Sequence, residues 1–206
     1  MIGIYGGTFN PIHYGHLRTA IEVREIFGLD ELRLLPCAQP AHRATPEVSS
    51  EQRLQMLQLA ISEAPELQID TRELERAGVS YMVDTLAAIR AEALQVPIIL
   101  FIGMDAFNGL TSWHRWQELF IYAHIVVMTR PKFGAEKLPD FIKNKQVSDR
   151  QSLKSYPSGK IYFQQVTQLE ISATFIRRIF AENNNPGFLL PKSVINYIQT
   201  HRLYGA

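Results

Sequence analysis

Unbroken apolar runs and stretches of helical spacing alternate along this chain. Met1 to Tyr5 is a short apolar run that breaks at Gly6-Gly7, the pattern of a buried strand entering a tight loop. From His16 to Phe27, Leu17, Ala20, Ile21, Val23 and Phe27 recur at helical spacing, and Gly28 is placed to end the helix. Leu32 to Leu35 spells a second strand stopped by Pro36. The following segment to Val48 holds Pro36, Pro40 and Pro46 without any period, as a surface loop does. Ser49 and Gln52 form a capping-box pair ahead of a helix that turns Leu54, Leu57, Ala60 and Ile61 inward, with Pro65 beyond its end. Leu67 to Ile69 fits a short strand, and Tyr81 to Leu94 a helix with Met82, Leu86, Ile89 and Ala93 on one side. Pro97 to Ile102 is the plainest strand, and its Ile-Ile-Leu-Phe-Ile run predicts cover on both faces, as in a parallel sheet.

In the second half, Gly103-Met104-Asp105 closes that strand, a short aromatic-rich helical stretch carries Trp113 and Trp116, and Ile125 to Met128 precedes Arg130-Pro131. Residues 132–160 are lysine-rich and broken by proline and glycine, with no pattern that predicts a shape. Ile161 to Val166 returns as a strand, Ser172 to Glu182 is a helix, residues 183–187 make a turn, and Pro191 to His201 starts a last helix with proline at its first helical position. This alternation predicts an α/β fold with a mostly parallel sheet, helices on both faces and right-handed crossovers, followed by a small helical part at about 172–206. Such sheets bind ligands beyond the carboxyl ends of their strands, where Gly6-Gly7, Gly103-Met104-Asp105 and Arg130 all fall.

Bulk properties narrow the classes. The 206 residues, 46% hydrophobic and 20% charged, suit one domain spanning 1–206. A formal charge of +1 provides no global field to gather nucleic acid or an anionic membrane, so neither is an expected partner and any anion needs a local site. The single cysteine, Cys37, excludes an internal disulfide, and the opening Met-Ile-Gly-Ile-Tyr lacks the charged region and long apolar run of a signal peptide. The longest apolar run is too short to cross a bilayer as a helix, and a cytoplasmic location is expected. Self-association into a homo-oligomer is compatible with the sequence and not required by it.

Two segments carry chemistry. Gly6-Gly7-Thr8-Phe9-Asn10-Pro11-Ile12-His13-Tyr14-Gly15-His16 joins the first strand to the first helix. Its glycines let backbone approach a bulky ligand, N–H groups at the helix start favour phosphate oxygens, and His13 and His16 stand close enough to face one ligand. It is neither a Walker loop nor a Gly-x-Gly-x-x-Gly turn. Near the other end, Ser172 can cap a helix in which Arg177 turns its planar fork towards the anion that the helix start attracts. Alone, each histidine or the arginine pair would fit an ordinary capped helix equally well; together they point to nucleotide binding.

These segments resemble the two signatures of the H-x-G-H nucleotidyltransferases, and the chain is most similar to the nicotinate-nucleotide adenylyltransferase family. Further matches are Pro36-Cys37-Ala38-Gln39-Pro40-Ala41-His42-Arg43, Ser80-Tyr81-Met82-Val83-Asp84-Thr85-Leu86, Phe101-Ile102-Gly103-Met104-Asp105 with Trp113, Arg130-Pro131, and Val194 to Ile198 with Leu203-Tyr204. The resemblance implies a doubly wound, Rossmann-like fold and transfer of AMP from ATP to nicotinate mononucleotide, giving deamido-NAD and pyrophosphate. It implies Mg²⁺ held mainly by the phosphates, with no protein metal site. It puts Gly6, Gly7, Thr8, Phe9, His13, His16, Gly103, Asp105, Ser172 and Arg177 around ATP, with His13, His16 and Arg177 catalytic and Asp105 on the ribose. Thr85, Trp113 and His114 would hold the nicotinate, and His42, Arg43 and Arg130 the mononucleotide. The chain departs from the usual family residues at Asn10, Ala41, Arg43, Ala173 and His114, the last exchanging a tyrosine for a side chain that can titrate.

The attacking phosphate monoester is anionic near neutrality, its second pKa lying near ~6, so no general base and no enzyme nucleophile are required. Cys37 has no identified base that would make it one. Related transferases acting on nicotinamide mononucleotide or pantetheine phosphate, and a nucleotide sensor without turnover, remain the alternatives.

Overall fold

The computed structural model describes residues 1–39, 46–129, 140–167 and 169–206. Its first half runs β1 (Ile2–Gly7), α1 (Tyr14–Phe27), β2 (Glu31–Pro36), α2 (Ser50–Ile61), β3 (Leu67–Ile69), α3 (Arg72–Glu75) and α4 (Met82–Glu92). The second half runs β4 (Ile98–Gly103), α5 (Met104–Asn108), α6 (Leu119–Tyr122), β5 (His124–Thr129), α7 (Asp140–Lys143), β6 (Ile161–Gln165), α8 (Ala173–Ala181) and α9 (Lys192–Thr200). All six strands form one parallel sheet in the order β3-β2-β1-β4-β5-β6. The expected α/β, doubly wound architecture is therefore what the chain adopts.

The unbroken apolar strands are buried on both faces, because alternate side chains enter different cores. Ile99, Phe101, Val126 and Met128 join α1, α2, α8 and α9 on one face. Ile98, Leu100, Ile102, Ile125 and Val127 pack on the other face with α4, α5 and α6. The late helices α8 and α9 belong to the first of these cores rather than forming a separate body, α9 lying against α2.

Local pattern and structure differ where a distant partner intervenes. The glycines Gly6 and Gly7 are the last residues of β1, not a loop after it, since Gly7 still pairs with Pro36 of β2. α1 begins at Tyr14, two residues before the expected His16, and its first N–H donates to the Leu189 carbonyl at 3.0 Å. Gly28 ends it in the left-handed conformation, φ 58°. The capping box at Ser49 and Gln52 is present, but α2 buries Arg53, Met56, Leu57 and Ala60 while Leu54 and Ile61 are only half-buried. Its inward face is turned towards a guanidinium that no apolar pattern signals. The helical stretch expected around Trp113 is broken into α5, a 3₁₀ turn at Leu110–Ser112, another at Trp116–Glu118, and α6. Pro191 is the N-cap of α9 rather than its first helical residue.

Of residues 132–160, the described part holds α7, a 3₁₀ turn at Arg150–Leu153 and a parallel bridge from Gln146 to Ile161. His124 opens β5 fully buried; it accepts from the Lys160 N–H on Nδ1 at 3.1 Å, so Nε2 donates to the Tyr156 carbonyl at 2.8 Å. Among the described residues no helix is long and apolar enough to cross a membrane.

Gly3 lies where the sheet has no room for a side chain. A Cβ there would sit 2.6 Å from Leu29 Cδ1 and 2.7 Å from Leu32 Cδ1. Gly3→Ala is expected to destabilise the protein by about 1–3 kcal/mol through overpacking. Urea titration should show a lower midpoint with an unchanged slope, and an unchanged midpoint would contradict the packing described.

Candidate active site

β1 has β2 on one side and β4 on the other, so the strand order reverses there and a crevice opens at their carboxyl ends. That crevice has a volume of about 1230 Å³, above the ~300–1,000 Å³ usual for a single small ligand. Its size suits two nucleotides at once. Gly6, Gly7, Thr8, Phe9, His13, His16, Gly103, Asp105, Trp113, His114, Ser172 and Arg177, separated by more than a hundred residues in sequence, all line it.

The loop after β1 is shaped by close packing. Phe9 takes a left-handed backbone, φ 46°, which is strained for a bulky residue. Its ring then lies under Gly7, where a Cβ would come within 2.9 Å of the ring, and meets the His16 imidazole edge-on at 5.2 Å. Gly15 is needed for the same kind of reason: a Cβ there would lie 2.9 Å from His13 Nδ1. The glycine between the histidines thus gives the His13 ring its seat.

The two imidazoles lie face to face at a tilt of 31°, with centroids 3.7 Å apart. His13 is 5% exposed. Neither Nδ1 has a hydrogen-bond partner among the described residues, so no described protein group sets either tautomer. Burial holds the His13 pKa down at about 4, and burial together with the neighbouring His13 holds that of His16 well below its ordinary value. The free cleft consequently presents two neutral rings with unmet polar capacity, ready for an anionic ligand.

α8 closes the opposite side. Ser172 caps it by accepting from the Phe175 N–H at 3.1 Å. Arg177 donates from Nη1 to the Asn10 carbonyl at 2.8 Å and from Nη2 to Thr174 Oγ1 at 3.2 Å, so the arginine is anchored to the loop after β1. The Tyr204 hydroxyl donates to Asn10 Oδ1 at 2.6 Å, bringing the chain's last residues onto the same loop. Asn10 joins three segments, a role its local sequence gave no sign of.

Along the remaining wall, Gly103 leaves open space where a Cβ would stand and Asp105 is exposed in the first turn of α5. Trp113 lines the cleft and also packs on the second core, whereas Trp116 packs there without lining the cleft. His114 lies against Tyr81 at a tilt of 35°, with centroids 4.3 Å apart. Thr85, expected with Trp113 and His114 to hold the nicotinate, has its side chain behind the cleft wall. It is fully buried and does not line the cleft. Its hydroxyl donates to Glu73 at 2.7 Å and accepts from Arg76 at 3.1 Å. It thereby braces the helix behind Ser80, Tyr81, Met82 and Val83, which do face the cleft. Glu73, which no pattern in the sequence marks, also lines the cleft, and burial raises its pKa. His42, Arg43 and Arg130 lie outside the described residues. Among the described residues no three His, Cys, Asp or Glu side chains gather to hold a metal.

Comparison with known proteins accords with this geometry. The cytidylyltransferase-like family model matches residues 4–179. A probable nicotinate-nucleotide adenylyltransferase of Methylococcus capsulatus is 50% identical over 208 residues, spanning 99% of each chain. One from Pseudomonas aeruginosa is 47% identical over 100% of this chain and 97% of its own. Among solved structures, the Plasmodium falciparum nicotinic acid mononucleotide adenylyltransferase complexed with NaAD superposes with a TM-score of 0.73 at 20% identity, over 98% of this chain and 96% of its own. A putative nicotinate-nucleotide adenylyltransferase from Vibrio parahaemolyticus gives 0.65 at 15% identity, over 99% and 94%. At those identities the superpositions establish the shared fold.

The buried imidazoles make stability depend on pH. His13, His16 and His124 all have pKa values lowered in the folded protein. The unfolded chain therefore takes up protons from about pH 6.5 downwards that the folded chain refuses. Stability is full above that pH and falls as pH drops towards about 4, the His13 value. Urea midpoints at two pH values, one above and one below ~6.5, should show the decline, and it should be shallower in the His13→Gln/His16→Gln variant. Equal declines would contradict the assignment.

Proposed function

The chain belongs to the cytidylyltransferase-like family and to its nicotinate-nucleotide adenylyltransferase branch, and from that premise we propose that it transfers AMP from ATP to nicotinate mononucleotide, giving nicotinate adenine dinucleotide and pyrophosphate in NAD biosynthesis. The observation that carries the reading is the convergence of the closely packed His13 and His16, the Ser172-capped helix and Arg177 on one cleft large enough for both substrates. In this reading the adenosine lies at the carboxyl end of β4, where Asp105 accepts from the ribose hydroxyls and Gly103 leaves room. The triphosphate lies over Gly7 and Thr8, between the histidines and the start of α8. The pyridine ring lies against Trp113, beside the paired Tyr81 and His114.

The mononucleotide phosphate attacks the α-phosphorus in line, and the bond to pyrophosphate breaks. Since the nucleophile is already ionised, the residues work by position and by charge. Burial keeps the imidazoles neutral in the free cleft; a bound polyphosphate opposes that effect, favouring their protonated, donating form where charge accumulates on the leaving group. Arg177, held by Asn10, adds a fixed cation beside them. Mg²⁺ belongs to the proposal as a companion of the nucleotide, held by phosphate oxygens and water and supplying further charge neutralisation.

Incubation with ATP, Mg²⁺ and nicotinate mononucleotide should release pyrophosphate. Failure across varied conditions would overturn the reading. His16→Ala should lower kcat by roughly 10²-fold or more while circular dichroism stays unchanged; an undiminished kcat would remove His16 from the mechanism. Parallel kcat/KM values for nicotinamide mononucleotide should be lower than for the nicotinate form.

A further inference from the structure

We infer that Arg53 is a positioning residue of this transferase: from beneath the cleft it locks the loop after β1 to the loop after β2, fixing the spacing between the phosphate cradle and the acceptor wall. The inference rests on the function proposed above.

Arg53 is 1% exposed, on the inward face of α2, and does not line the cleft, so it touches neither substrate. Its Nη1 donates to the Thr8 carbonyl at 2.7 Å. Its Nη2 donates to the Cys37 carbonyl at 2.8 Å and the Ala38 carbonyl at 3.0 Å. Nε has no partner, and no carboxylate pairs with the guanidinium, among the described residues. A buried cation balanced only by carbonyl dipoles is a costly way to attach a helix to a sheet, and an apolar side chain of similar volume would do that more cheaply. What the planar fork alone supplies is simultaneous donation to two separate loops.

Both loops belong to the site. Thr8 and Cys37 line the cleft. Around the fork, the Cys37 N–H donates to the Gly7 carbonyl at 3.1 Å. The tie then continues to the head of α4, where the Ala38 N–H donates to Ser80 Oγ at 3.1 Å and the Ser80 N–H to the Gln39 carbonyl at 3.1 Å. Tyr81, packed against His114, follows directly. One guanidinium thus stands at the junction of a hydrogen-bonded path from the phosphate cradle to the pyridine wall. In-line transfer needs the two substrates in register, and a shift of ~1 Å is enough to cost about 10²-fold in rate.

Two variants test this in the full-length protein. Arg53→Lys keeps the charge but cannot fork; Arg53→Met keeps most of the volume and loses both. Folding is followed by circular dichroism and urea titration, and kcat and both KM values are referred to the folded fraction. Arg53→Lys should remain folded with kcat/KM for nicotinate mononucleotide reduced by about 10²-fold, the shape of the pH profile preserved, and Arg53→Met, where folded, should lose at least as much. A folded Arg53→Lys with kcat and both KM values within about 3-fold of the parent overturns the inference. So does a loss that tracks the unfolded fraction, or failure of Arg53→Lys to fold at all, since the residue is then a stability element. If the parent protein itself releases no pyrophosphate, it is the proposed function that falls; if the parent turns over and Arg53→Lys matches it, only the role of Arg53 does.

Discussion

Parallel pairing of β1 with β2 on one flank and β4 on the other is the constraint from which the site follows. Each parallel step needs a crossover, and right-handed crossovers running in opposite directions along the sheet, β1 to β2 through α1 and β3 to β4 through α4, place α1 and α4 on opposite faces. Between them, at the carboxyl ends, nothing from the sheet itself fills the gap. The loops after β1 and β4 border it, so backbone N–H groups, the start of α1 and the turn into α5 meet a common ligand without any dedicated binding domain.

Within that frame the histidine loop is shaped against its own comfort. Phe9 holds a strained left-handed backbone, and two imidazoles are closely packed in a buried setting with their Nδ1 atoms unmet among the described residues. Such features cost free energy in the unliganded protein and are tolerable only because the surrounding core over-determines them. A polyanion in the cleft would offset the second of these costs, because it reverses the pressure on the imidazole charge. The site is thus organised for the bound nucleotide more than for the free protein.

Rigidity around the loop comes from afar. Arg53 from α2, Arg177 from α8 and Tyr204 from the last turn of the chain all reach residues between Thr8 and Asn10. Two of the three bonds involve backbone carbonyls, so the loop sequence carries no trace of them. The Thr85 side chain likewise works from behind, turning inward to Glu73 while Tyr81 and Ser80 present the surface.

The sequence by itself determined the alternation of strands and helices, the parallel and doubly covered sheet, and the two segments that line the cleft. Those features rest on local causes: apolar runs, helical spacing, the left-handed Gly28, the Ser49 capping box, and glycines where a Cβ would collide with the residue beside it. Tertiary structure alone decided where α1 begins, which face of α2 is buried, that the Thr85 side chain turns to Glu73, and that Asn10, Arg53 and Tyr204 tie the loop after β1 in place. Each of these depends on a partner in another element or on a backbone carbonyl, and side-chain periodicity carries no information about either.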